Sequence, residues 1–146
     1  MDGTRRERPP PLDTRVAALF LDLDGTIAAI EPQPGDVGPL TSRTVLLRRL
    51  GEQLHGRLAV LTGRTLEEAD RILEGSVTAA GAVHGLVRRD PAGVVAASEP
   101  SPGIAAARLA LQSLADARPG LVLEEKQLSL ALHYRHAPDS AEGVLD

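Results

Sequence analysis

The sequence predicts an α/β protein with a parallel sheet, followed by a smaller α+β unit. Three observations carry this. In the first 87 residues, short apolar runs alternate with segments of helical apolar spacing, in the order strand, helix, strand, helix, strand. After His84-Gly85 the pattern changes to a hairpin, an Ala/Leu helix and a stretch, "LVLEEKQLSLALHYR", that alternates polar and apolar residues as a one-sided antiparallel sheet does. The 146 residues are enough for a domain with its own core, and 42% of them are hydrophobic.

Each element has its own signal. The opening "MDGTRRERPPPLD" is polar and Pro-rich, and residues 1–14 read as a disordered lead-in. "RVAALFLD" (Arg15 to Asp22) is dense enough for a strand buried on both faces. "IEPQPGDVGPL" is loop, because its Pro and Gly residues preclude regular structure. "TSRTVLLRRLGEQLHG" sets Val45, Leu46, Leu50 and Leu54 at helical spacing and stops at Gly56. "RLAVLT" (Arg57 to Thr62) is the second buried strand. In the next helix Thr65 stands three residues before Glu68, the spacing of a capping box. Leu66, Ala69, Ile72 and Leu73 form its apolar face, and Gly75 closes it. "VTAAGAV" is the third strand.

Beyond it, "LVRRDPAGVVAAS" reads as a hairpin turning at Asp90 to Gly93, "IAAARLALQSLADA" as an Ala/Leu helix, and "LVLEEKQLSLALHYR" as alternating strand. There Leu128, Leu130 and Leu132 share one face, and Ser129, Ala131 and His133 the other. The expected division is 15–87 for the core and 88–146 for the second unit. Ser140 reads as the N-cap of a helix with no room to continue.

Composition excludes several classes. A net charge of −4 gives no positive field for nucleic acid or an anionic membrane surface. The absence of Cys excludes disulfides and thiolate metal sites. No apolar run approaches the roughly 20 residues that span a bilayer, and with no secretory signal the expected location is cytoplasmic. Phe20 and Tyr134 are the only aromatic residues, so the core must be built from Leu, Val, Ile and Ala. Of the 16 basic residues, Lys126 is the sole Lys.

The chemistry is concentrated at "ALFLDLDGTIAAI", where a buried strand ends on Asp22 and Asp24. Ligands of open α/β sheets bind beyond the carboxyl ends of the strands. Alternation puts residues 22 and 24 on one side of an extended chain. Gly25 permits the turn, and Thr26 offers a hydroxyl to brace it. Two nearby carboxylates suit a nucleophile and a proton carrier, and a hard cation such as Mg²⁺ would relieve their repulsion. Taken alone, a D-x-D at this point is equally a turn capping the strand. At the end of the next strand Thr62 supplies a donor hydroxyl, and Gly63 lets N–H groups approach an anion at a helix N-terminus. Alone, Thr-Gly-Arg is ordinary loop chemistry.

The full stretch "LFLDLDGT" resembles the first motif of the haloacid dehalogenase-like (HAD) phosphatases, and Thr62 falls where that superfamily has its second motif. The resemblance is closer to the trehalose-6-phosphate phosphatases. It rests on "EPQP" after the first motif, on Thr62-Gly63-Arg64 and on "GAVHGLVRRD". In the cap it rests on "LEEKQLSLALHYRHAP", which holds a Glu-x-Lys and a His-Tyr-Arg. It runs from about Ala17 to Pro138.

The resemblance implies a HAD-like core with an inserted α+β cap, of which this chain holds the N-terminal core and part of the cap. It implies Asp22 as nucleophile and Asp24 as general acid/base. Mg²⁺ would be held by Asp22 and the Asp24 carbonyl, with phosphate contacts from Thr62, Gly63, Arg64, Gly25 and Thr26. Glu124, Lys126, His133, Arg135 and His84 would meet the sugar. The implied substrate is trehalose 6-phosphate, in trehalose biosynthesis, with a trehalose-phosphate synthase as an expected partner. The alternatives are a phosphatase of another sugar phosphate, such as sucrose phosphate, and a non-catalytic module docking to the synthase.

Two departures stand out. Counting back from His84, Ala82 holds the position of the family's Gly, with Gly81 one residue off. The superfamily's third-motif base and fourth-motif acidic pair have no counterpart here. The expectation is therefore a fragment, incomplete at the C-terminus and inactive alone.

Overall fold

The structure is a computed structural model that describes residues 11, 13–126, 128–134, 136 and 137. The expected strand, helix, strand, helix, strand order is present as β1 (Leu19–Asp22), α1 (Thr41–Gln53), β2 (Leu58–Leu61), α2 (Leu66–Leu73) and β3 (Ala79–Ala82). β1 pairs parallel with β2, and β2 with β3, in the register Asp22 to Leu61 to Gly81. The sheet then continues antiparallel through β4 (Val87–Arg89) and β5 (Val95–Ala97), giving the strand order β1-β2-β3-β4-β5.

The hairpin read from "LVRRDPAGVVAAS" thus extends the core sheet, and the division expected at residue 87 cuts through continuous sheet hydrogen bonding. The physical reason is the tight turn at Val83–Gly85, which folds the chain back along β3 instead of away from it. Beyond β5 lie α3 (Ile104–Ala117) and a two-stranded antiparallel sheet, β6 (Val122–Lys126) and β7 (Ser129–His133), against which α3 packs. No helix among the described residues is long and apolar enough to cross a membrane.

The core is aliphatic, as composition requires. Leu23, Leu47, Leu54, Val60 and Ile72 are fully buried on one face of the sheet, under α1 and α2. Strand β1 was expected to be buried on both faces and is not: Phe20 is 64% exposed, because both helices lie on the opposite face. The apolar face of α1 is also turned from its expected position. Leu47 and Leu54 are buried, whereas Val45 and Leu46 are exposed. Arg43 and Thr44 occupy core-facing places instead.

Arg43 is buried because its guanidinium meets main-chain carbonyls, donating to Gly38 and Ile72 at 2.7 Å each. Other arginines do the same work for loops that cannot satisfy themselves. Arg57 donates to the carbonyls of Thr14, Arg15 and Ala17, so the end of the expected lead-in is tied to the fold. Arg71 donates to Val37, and Arg89 forks onto Asp70 while also reaching Thr78. A planar fork of five donors suits this task.

Helix α2 starts as the sequence indicates. Thr65 Oγ1 accepts from the Glu68 N–H at 3.2 Å, and the Glu68 carboxylate accepts from the Thr65 N–H at 3.0 Å. The expected helix start at Ser140 lies outside the described residues.

Candidate active site

Asp22 ends β1 exposed, Leu23 turns fully into the core, and Asp24 comes back out, half-buried. The alternation that put both aspartates on one side therefore holds. The loop after them is shaped by the backbone. The Leu23 carbonyl accepts from the N–H groups of Ile27 and Ala28, and the Gly25 N–H donates to Ala28. Gly25 has φ +82°, which a side chain would strain. Thr26 was expected to brace this turn. It is exposed, and among the described residues its hydroxyl makes no hydrogen bond; backbone bonds, including one from its own N–H to the Leu23 carbonyl, do that work.

The second loop packs beside the first. Thr62 is buried, and its Oγ1 accepts from the Arg64 N–H at 3.1 Å. With one lone pair used in this way, the hydroxyl proton remains to donate.

Arg64, expected among the phosphate contacts, has its guanidinium engaged by Asp24 and the Pro34 carbonyl. Its Nε donates to Asp24 Oδ2 at 2.9 Å and its Nη2 to Oδ1 at 2.8 Å, while Nη1 donates to the Pro34 carbonyl at 2.7 Å. Glu68 lies at 3.7 Å from the same guanidinium. The hydrogen bond to Asp24 outweighs burial and holds the Arg64 guanidinium above its ordinary pKa. Burial and this pairing make Arg64 a clamp between the two loops. The sequence offered only the four-residue spacing of Arg64 and Glu68 as a hint, and nothing that marked Pro34.

The turn after β3 closes around the second loop. Val83 and His84 donate their N–H groups to the carbonyls of Arg64 and Thr62, at 2.9 and 3.0 Å. Both residues have positive φ, 49° and 55°. For a β-branched Val this is a costly conformation, of the kind held only where surrounding contacts enforce it. The result is that the His84 ring lies against Gly63: a Cβ there would come 2.5 Å from His84 Cε1. Gly81, to which no role was carried, accepts from the Thr62 N–H at 2.8 Å and so fixes the start of the loop.

Residues more than sixty positions further on complete the cluster. Glu124 and Lys126 share one face of β6, and His133, whose cross-strand partner is Val122, lies diagonal to Glu124 on β7. Lys126 Nζ donates to the Gly63 carbonyl at 2.8 Å and sits 3.5 Å from Glu124. Glu124 in turn is 2.8 Å from His133 Nε2. Burial alone would raise the Glu124 carboxyl, but the hydrogen bond from His133 and the charge of Lys126 hold it below its usual value. The structure thus brings Asp24, Thr62, Gly63, Arg64, His84, Lys126, Glu124 and His133 into one connected group. Arg135 lies outside the described residues.

For a metal, this region offers two hard oxygen donors, the Asp22 carboxylate and the Asp24 main-chain carbonyl, neither engaged in a hydrogen bond among the described residues. Among those residues no cluster of three or more acidic or His side chains forms a cation cage. Two oxygens fit Mg²⁺, which keeps several waters and binds through few carboxylates.

A parallel sheet ending in paired aspartates, faced by a hydroxyl loop at a helix N-terminus, defines an α/β protein with its candidate site at the carboxyl ends of the strands. The same fold is found in a solved trehalose-6-phosphate phosphatase related protein, at a TM-score of 0.70 and 23% identity, covering 88% of this chain and 57% of that one. It is found again in the C-terminal domain of the Candida albicans trehalose-6-phosphate phosphatase, at a TM-score of 0.70 and 20% identity, covering 82% of this chain and 43% of that one.

The sequence model of the trehalose-phosphatase family matches residues 20–145, and the chain belongs to that family. It is 34% identical over 122 residues to a probable trehalose-phosphate phosphatase of Sinorhizobium fredii, covering 84% of this chain and 46% of the relative. It is 33% identical over 129 residues to the trehalose-6-phosphate phosphatase of Escherichia coli, covering 88% and 48%. The chain therefore spans about half the length of these curated relatives.

Proposed function

We propose that this chain supplies the nucleophile and part of the sugar site of a phosphomonoesterase acting on trehalose 6-phosphate. The observation that carries the reading is the convergence on the Thr62–Arg64 loop, with Asp24 and Arg64 on one side and Lys126, Glu124 and His133 on the other. A phosphate held between Asp22 and that loop would leave its sugar against a face rich in donors and acceptors.

In the proposed reaction an Asp22 oxygen attacks phosphorus, the phosphorus–sugar oxygen bond breaks, and Asp24 delivers a proton to that oxygen. Water then attacks phosphorus of the aspartyl phosphate, Asp24 takes the water's proton, and phosphate leaves with Asp22 restored. The Arg64 fork engages both Asp24 oxygens, and each keeps a second lone pair on which a proton can be carried. Thr62 would donate to a phosphoryl oxygen. Mg²⁺ at Asp22 and the Asp24 carbonyl would offset the charge of the phosphoryl group. A trehalose-phosphate synthase would supply the substrate.

The test is phosphate release by the natural protein that carries this chain, with Mg²⁺, across a panel that includes trehalose 6-phosphate and sucrose 6-phosphate. Preference for trehalose 6-phosphate by tenfold or more in kcat/KM, about 1.4 kcal/mol, supports the reading. Equal rates across the panel, or none, would sink it.

A further inference from the structure

Lys126 is expected to meet the sugar, yet its ammonium lies on the loop that holds the phosphate. The contact is to the Gly63 carbonyl, at 2.8 Å, and the Lys126 side chain is only 11% exposed. The Gly63 carbonyl and the Arg64 N–H belong to one peptide unit. That N–H donates to Thr62 Oγ1 at 3.1 Å. A cation on the carbonyl end of a peptide polarises it and strengthens the N–H at the other end as a donor. It also fixes the plane of the peptide. Gly63 has no side chain to hold this plane, and its free side is filled by the His84 ring.

We propose that Lys126 is a positioning residue for the phosphate site, acting on Thr62 through the Gly63–Arg64 peptide. Lys126 is carried by β6, outside the five-stranded sheet, so seating β6 and β7 against the core organises the phosphate-binding hydroxyl. The Thr62 lone pair is occupied by the polarised N–H, and its proton is aimed outward, ready for a phosphoryl oxygen. Lys126 would then affect phosphate itself, with no sugar attached. Glu124 contacts Lys126 and His133 and reaches the loop only through Lys126.

The effect on phosphate rests on the proposed function, whereas the effect on the peptide does not, so two measurements separate them. Both use the natural protein that carries this chain. The first is the amide proton shift of Arg64 by NMR, without ligand, in the wild type and in Lys126→Met. Loss of the ammonium is expected to move this amide upfield by more than its neighbours in α2. An unchanged Arg64 amide would overturn the relay whatever the enzyme's substrate.

The second measurement is the affinity for inorganic phosphate. Lys126→Met is expected to weaken it by about tenfold, the size of one charge-assisted hydrogen bond. In a Thr62→Val background the Lys126→Met effect is expected to shrink to less than threefold. The same loss in both backgrounds would mean direct attraction between ammonium and phosphate and would overturn the proposal. If Lys126→Met does not fold, Lys126→Gln, with a shorter and uncharged donor, gives the same comparisons.

Discussion

Replacing Arg64 by Met tests whether the two loops are held by an ion pair. The Arg64 side chain is 9% exposed and Asp24 37%. Removing one partner of a fully buried pair costs about 3–5 kcal/mol. Asp24 can regain water on its exposed side, which reduces this to about 2 kcal/mol. The Pro34 carbonyl also loses its 2.7 Å donor, adding about 1 kcal/mol. The expected loss is therefore about 3 kcal/mol, or a fall in Tm of about 10 °C for a chain of this size.

Urea and thermal unfolding measure the loss directly. Arg64→Lys keeps the charge but not the fork, so it should recover only about 1 kcal/mol. In a double-mutant cycle with Asp24→Asn, the two changes should couple by about 1–2 kcal/mol. A loss below about 0.5 kcal/mol for Arg64→Met, or strict additivity with Asp24→Asn, would refute the clamp.

Three further expectations follow from the geometry. Thr65→Ala removes one half of the capping box and should cost about 1 kcal/mol in urea unfolding, with Glu68→Ala costing less than the same amount again in that background. Gly63→Ala places a Cβ 2.5 Å from His84 Cε1, so the ring must swing away; an overpacking cost of about 1–3 kcal/mol is expected on unfolding, and the His84 ring resonances should shift. Against the opposing effect of burial, the His133 hydrogen bond and the Lys126 charge hold the Glu124 carboxyl of the folded state below its unfolded value, so its stabilisation is present above the unfolded pKa of 4.5 and is lost as pH falls through the lower folded value. Acid titration of stability should show this loss below pH 4.5, and Glu124→Gln should flatten that part of the curve.

The parts legible in the sequence are those set by local pattern. Apolar runs and helical spacing gave the strand and helix order, Thr65 and Glu68 gave the helix start, and Asp22, Leu23 and Asp24 gave the alternation at the strand end. What was not legible depends on contacts distant in sequence. The face of α1 was misjudged because Arg43 counts as polar in any periodicity, yet it is buried by carbonyls from Gly38 and Ile72. The hairpin from Val87 to Ala97 could be read as a hairpin, but its partner β3 could not. Arg64 carried the right residue type for a phosphate contact, while the position of Asp24 forty residues earlier decides where its fork points. The reach of Lys126 across sixty-three residues to a backbone carbonyl leaves no trace in spacing or composition.

The central claim is that Asp22, at the exposed end of β1, is the nucleophile. Its most direct test is to quench the natural protein during turnover of phosphate-labelled trehalose 6-phosphate and map the label on the peptides. The account predicts a hydroxylamine-labile phosphate on the peptide containing Asp22, absent in Asp22→Asn and formed more slowly in Asp24→Asn, which lacks the proton donor to the leaving sugar oxygen. Label that persists in Asp22→Asn, or turnover without any labelled peptide, would contradict it.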